Sequence, residues 1–175
     1  NLSSIAVGRG GDQRLHIGSQ GTASPRGRLG SAGSDSLLRV QVDGGGALQL
    51  GGTQLDRVES IDVAGRLVWN GRDGSVSSSG PQRTRVEVAS GGQFIVDMGP
   101  SAGGTGDYFY PEVVNRGTWR KVADGSGLAS KTAIFDGPVT QAGTLEVEDG
   151  ALILGRATVG TGTTRVAHAG TLLLR

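Results

Sequence analysis

Apolar and polar residues alternate in short runs along this chain, and the runs come in pairs joined by glycine. Residues 145–154, Leu-Glu-Val-Glu-Asp-Gly-Ala-Leu-Ile-Leu, show it most plainly: Leu145 and Val147 share one side, and Leu152 and Leu154 follow a glycine turn. The figure returns as Val40 and Val42 before Gly46-Ala47-Leu48, and as Val86 and Val88 before Gly92-Gln93-Phe94. It returns again as Thr164 and Val166 before Gly170-Thr171-Leu172, and in compressed form as Ile61 and Val63 before Gly65-Arg66-Leu67. Helical periodicity is nearly absent, since the best stretch, 54–59, is too short to nucleate a helix alone. The pattern predicts an all-β chain built as a parallel β-helix, or β-solenoid, in which strand–turn–strand units stack and bury one side of each strand.

The glycine before each second strand serves as a marker at Gly46, Gly65, Gly92, Gly150 and Gly170, with Gly117 and Gly143 opening further strands. The intervals from Gly46 to Gly65 and from Gly150 to Gly170, 19 and 20 residues, and from Gly65 to Gly92 and Gly92 to Gly117, 27 and 25 residues, suit one solenoid coil with corners of varying length. In this register Gln41, Gln49, Asp62, Glu87, Glu146, Glu148 and Arg165 point outward. The organisation that follows is an irregular N-terminal segment or cap over 1–36, coils over 37–175, and an inserted loop over 97–113. Within the first segment, 4–7 and 14–17 read as strands, and the Gly-, Ser- and Arg-rich stretch 19–36 reads as an exposed loop.

Composition narrows the picture. Glycine supplies 33 of 175 residues and aromatics only 4%, so the chain must be dense in turns. Regular alternation and a formal charge of +1 argue against disorder, and so even a balance gives no general attraction to nucleic acid or anionic membranes. No cysteine is present, which excludes disulfides and thiolate metal sites. No apolar run approaches the length that spans a bilayer, so no membrane insertion is expected of this segment. The opening Asn1-Leu2-Ser3-Ser4 lacks signal-peptide character, and the missing initiator methionine reads as the mark of a piece of a longer protein. Residues 172–175 stop in mid-strand. Further chain or a second copy stacked head to tail is the expected cover.

Residues 113–175 then carry a resemblance. Asn115-Arg116-Gly117-Thr118-Trp119-Arg120-Lys121, Gly125-Ser126-Gly127, Ile134-Phe135, Gly143-Thr144-Leu145-Glu146-Val147 and Gly150-Ala151-Leu152-Ile153-Leu154 resemble the repeats of large secreted bacterial surface proteins, the autotransporter-passenger and filamentous-haemagglutinin-like groups. Residues 37–96 resemble them loosely. The resemblance implies a right-handed parallel β-helix, export to the bacterial cell surface, and an adhesin-like or structural role, with self-assembly into a fibre as one form of it. The chain departs from the repeat at Asp136-Gly137-Pro138, where an asparagine ladder is expected, and in its Tyr108-Phe109-Tyr110 loop.

A polysaccharide-binding or polysaccharide-degrading β-helix is the alternative. Degradation needs carboxylates converging on one face. Glu87, Glu146, Glu148 and Asp62 read instead as separate surface groups, with no aligned acid pair and no basic partner at matching positions, so no catalytic residue is expected. His16 and His168 stand alone, His168 in an exposed turn, and no calcium repeat recurs; no metal or cofactor is expected. An outward threonine row over Thr118, Thr144 and Thr171 is broken by Ala47, Arg66, Gln93 and Ala151, which disfavours an ice- or mineral-binding face. Tyr108, Phe109, Tyr110 and Trp119 are the candidate binding residues, for surface glycans or a partner, because exposed aromatic rings mark docking surfaces. The competing role for the same rings is padding of the core.

Overall fold

A computed structural model describes residues 4–7, 13–31, 36–80, 82–99, 106–122 and 132–175. The described residues contain strands, one short 3-10 turn at Gly71–Asp73 and no α-helix. Every strand pairing is parallel, and through most of the chain each strand pairs with the strand three along. Three rows result. The first holds β1 (Ser4–Val7), β4 (Gly27–Ser31), β7 (Thr53–Asp56), β10 (Ser77–Ser79) and β13 (Asp107–Phe109), the last joined through a Val76–Phe109 bridge. The second holds β2 (Gln13–Ile17), β5 (Leu38–Val42), β8 (Val58–Val63), β11 (Arg85–Val88) and β14 (Glu112–Asn115). The third holds β3 (Thr22–Ala23), β6 (Ala47–Leu50), β9 (Arg66–Asn70), β12 (Gln93–Asp97) and β15 (Thr118–Lys121).

Later strands run through corners without a break. β16 (Ala133–Gln141) serves the first row and then the second, β17 (Thr144–Val159) runs from the third row through the first into the second, and β18 (Thr163–Leu174) continues from the third row into the first. Gly150 has a φ of 64°, a left-handed value glycine reaches without strain, and the register slips between Val147 and Asp149. The chain therefore bends there while its ladder continues. Gly150 is a bend inside a strand, not a turn between two.

Alternation sets what each row buries. In the second row Leu15, Val40, Ile61, Val86, Val113 and Val139 are in register on the inner side. In the third row Leu48, Leu67, Phe94, Trp119 and Leu145 do the same, all enclosed. Trp69, Phe94, Phe109, Trp119 and Phe135 form one cluster, with Phe94 stacked on Trp119 at 5.5 Å and Trp119 edge-on to Phe135 at 4.6 Å. The chain's few aromatics are thus concentrated at the middle of the stack, where two rows face each other across the interior.

One column of glycines makes the corner between the second and third rows. Backbone bonds run from the residue after each glycine to the glycine one level back: Arg66 N–H to Gly46, Gln93 to Gly65, Thr118 to Gly92, Thr144 to Gly117 and Thr163 to Gly143. A Cβ on Gly117 would lie 2.3 Å from the carbonyl oxygens of Ala89 and Gly92, so the strand levels approach too closely for any side chain there. Gly162 continues this column. Gly150 and Gly170 do not: they pair with each other at the corner between the third and first rows. The repeated sequence figure thus belongs to two different corners. One consequence corrects the threonine row, because Thr163, not Thr171, stands beside Thr144 and Thr118.

Within 1–36, residues 13–17, 22–23 and 27–31 are strands in register with β5, β6 and β7. Within 97–113, Asp107–Phe109 and Glu112–Val113 likewise belong to the rows, while 100–105 lie outside the described residues. His168 is exposed as expected, but in β18 and not in a turn.

Candidate functional site

The four aromatic residues singled out by sequence separate into two pairs. β13 places alternate side chains on opposite sides: Tyr108 and Tyr110 are 40% and 37% exposed, whereas Phe109 between them is fully enclosed. Trp119 is also fully enclosed, in register with Phe94 and Leu145. Phe109 and Trp119 therefore pad the core and are closed to a ligand in this conformation. Tyr108 and Tyr110 lie against each other, centroids 5.7 Å apart and planes 16° apart, and present a paired aromatic surface.

Neighbouring strands fix that pair. Val76 N–H donates to the Tyr108 carbonyl at 2.9 Å, and Tyr110 N–H donates to the Val76 carbonyl at 3.1 Å. Tyr108 N–H also donates to Ser75 Oγ at 3.0 Å. Beside Tyr110 opens a groove of about 510 Å³ lined by Ser77, Ser78, Gly80, Gln82 and Arg83. Arg83 Nη1 donates to the Tyr110 carbonyl at 2.8 Å and reaches the Asp136 carbonyl at 3.5 Å. Those contacts hold the guanidinium across two strand levels without neutralising it. Among the described residues, no carboxylate lies at ion-pair distance from Arg83. Ser78 Oγ, in the lining, lies 2.9 Å from the buried Thr84 Oγ1, and Thr84 in turn donates to the Val58 carbonyl at 2.8 Å.

The outward carboxylates are differently placed than the sequence suggested. Asp62 and Glu87 stand in register on neighbouring strands, so an aligned acid pair does exist. Basic partners also exist one level away. Arg116 reaches Glu87, which Arg85 of the same strand also meets, and Arg120 reaches Glu148 and, at 3.2 Å, Glu146. Arg165 stands 3.7 Å from Glu146 on the other side, which makes an Arg120–Glu146–Arg165 ladder of alternating sign. Glu87, Glu146 and Glu148 are therefore engaged as structural ion pairs.

A second cavity of about 360 Å³ lies by Arg14, Leu15, His16, Arg39, Gln41 and Asp62. His16 Nε2 sits 2.6 Å from Asp43 Oδ2, and Gln41 Nε2 donates to Asp43 Oδ1 at 2.9 Å; the His16 contact first, then Gln41, holds the Asp43 carboxyl below its usual range. Arg39 grips Glu59 with two bonds, of 2.6 and 3.2 Å, and lowers its carboxyl likewise. Most of the polar groups in this region are thus paired with one another.

Sequence reasoning missed the buried amides. Asn115 and Gln141 stand in register at adjacent levels, nearly without exposure, and Asn115 Nδ2 donates to Gln141 Oε1 at 2.9 Å and to the Thr144 carbonyl at 3.0 Å. Asn115 Oδ1 accepts from Gly117 N–H at 3.2 Å, and Gln141 Nε2 donates to the Gly143 carbonyl at 3.0 Å. This two-step amide ladder lies at the glycine corner. No group of three or more metal-ligating side chains occurs among the described residues. Comparison with protein-family models, with curated proteins and with solved structures finds no match to this chain.

Proposed function

We propose that this chain is a segment of an extracellular β-solenoid from a bacterial surface protein, a structural, adhesin-like scaffold that presents a glycan-binding groove. One observation carries the scaffold reading: strands pair with the strand three along and keep their inward rows in register, so the backbone of each level bonds to the levels beside it. A right-handed sense follows from the rule for parallel crossovers. Surface residence rests on the resemblance of residues 113–175 to secreted repeat proteins.

The glycan reading is favoured by the exposed Tyr108–Tyr110 pair beside a groove lined with hydroxyl and amide groups. A sugar ring offers an apolar face to an aromatic plane and hydroxyls to polar neighbours. A degradative role is less well supported, because Glu87, Glu146 and Glu148 are committed to arginines.

The test is adhesion. Beads coated with the chain should be retained on a glycan-rich surface such as mucin more than bare beads, and periodate treatment of that surface should abolish the difference. Equal retention of coated and bare beads would overturn the glycan reading. Light scattering and electron micrographs separate two forms of the scaffold: monomer mass fits a segment of a longer solenoid, while filaments of uniform width would make self-assembly the function.

A further inference from the structure

We infer that the groove beside Tyr110 selects a carboxylated sugar, with a uronate ring on the tyrosine pair and its carboxylate on Arg83. The inference rests on the glycan-binding reading and goes beyond it by naming the class of sugar. Three observations converge.

The first is Arg83 itself. Arg26, Arg28, Arg39, Arg85, Arg116, Arg120 and Arg165 each have a carboxylate within ion-pair distance; Arg83, like Arg14, Arg66 and Arg156, has none among the described residues, and it alone of these lines the groove, with its head group held by two main-chain carbonyls. Those carbonyls use Nη1. The remaining guanidinium N–H groups can therefore form a forked pair with a carboxylate, the geometry for which arginine is suited. Holding the head group in advance lowers the entropy lost when a ligand arrives.

The second is adjacency. Arg83 bonds the main chain of Tyr110, so the cation and the aromatic surface are fixed relative to each other through one residue. A pyranose ring carries its carboxylate on one edge and an apolar face at right angles to that edge. A ligand lying on the tyrosines can thus reach the guanidinium with its edge. The third is the lining: Ser77 and Gln82 border the same groove and offer a hydroxyl and an amide to ring hydroxyls.

A neutral glycan would meet the tyrosines and the hydroxyls but leave the cation unused. The charged contact adds about ten- to hundredfold in affinity over an uncharged equivalent, and it weakens as salt rises because the groove is open.

The experiment uses an oligoglucuronan and its methyl ester, which share ring shape and differ in charge, titrated calorimetrically against the whole chain at low and high salt. The acid should bind at least about tenfold tighter than the ester at low salt. Arg83→Gln should bring the two to equal affinity, and Tyr110→Ala should weaken both in proportion, with the thermal unfolding curves of both variants superimposable on the parent. Equal binding of acid and ester by the parent would overturn the uronate assignment and leave the glycan reading standing, as would discrimination surviving in Arg83→Gln. No binding of either, together with failed bead adhesion, would overturn both. If Arg83→Gln lowers thermal stability, Arg83→Lys decides: it keeps the charge but not the fork, and should retain part of the preference.

Discussion

Replacing Asn115 by alanine tests the corner architecture most directly. The side chain is fully enclosed and makes three bonds: it donates to Gln141 Oε1 and to the Thr144 carbonyl and accepts from Gly117 N–H. The substitution strands two groups in the interior, the Gly117 amide and the Gln141 side-chain oxygen, away from water. A buried polar group without a partner costs about 1 to 3 kcal/mol, and the lost volume adds to it. The expected loss is therefore about 2 to 5 kcal/mol, which for a chain of this size lowers Tm by roughly 5 to 15 °C. Urea and thermal unfolding by far-ultraviolet circular dichroism measure the global term. Hydrogen exchange at the Gly117 amide measures the local one, and it should rise more than exchange in β5 or β6. The compensated pair Asn115→Val with Gln141→Leu should be milder than the sum of its single changes, because it removes the Gln141 oxygen together with its donor and leaves the Gly117 amide as the stranded group, and Val88 already occupies the equivalent place one level back. A loss for Asn115→Ala below about 0.5 kcal/mol, the size of an ordinary surface change, would refute the ladder as a source of stability.

Other substitutions probe the remaining features. Gly117→Ala should cost several kcal/mol, on the order of the largest single-residue effects, since its Cβ would meet two carbonyl oxygens at 2.3 Å; a soluble variant with unchanged Tm would mean the corner yields. Phe94→Ala opens a hole beside Trp119, Phe109 and Phe135 and should cost about 3 to 5 kcal/mol, read by urea unfolding, whereas Tyr108→Ala should leave stability within about 0.5 kcal/mol. Acid sensitivity follows from Glu59, whose carboxyl is held below its ordinary value by Arg39. A lowered folded value contributes stability that is complete above the unfolded carboxylate range and is lost as pH falls through the folded value. Arg39→Met should therefore reduce stability at pH 6 more than at pH 3; an equal loss at both would show that the pair contributes through packing alone.

Much of the interior was legible in the alternation. Val40, Val42, Leu48, Val86, Val88 and Phe94 were read as inward and are all enclosed. The same rule, carried into 107–110, separates Tyr108 and Tyr110 from Phe109, and the match of Gly117-Thr118-Trp119 to Gly92-Gln93-Phe94 places Trp119 in the core. Three adjacent aromatic residues in a stretch that reads as a loop obscure the first of those signals. The amide ladder also left a trace, because Asn115 and Gln141 stand two residues before a corner glycine, where Val63 stands before Gly65.

The sequence by itself determined the strand period, the side each residue takes and the density of glycine corners, because these depend on neighbours one or two residues away. Tertiary structure alone decided which levels adjoin which. The strand–glycine–strand figure is the same at two corners, so only pairing assigns Gly162 to the column of Gly117 and Gly143, and Gly150 to another. Ion pairs such as Arg116–Glu87 and Arg120–Glu146, the Asp62–Glu87 alignment, and the seating of Arg83 on Tyr110 join residues about 25 to 30 positions apart, a separation set by how many residues each corner consumes. Corner length varies from level to level while the ladder spacing does not, and that is why the fold was readable from local pattern and the groove was not.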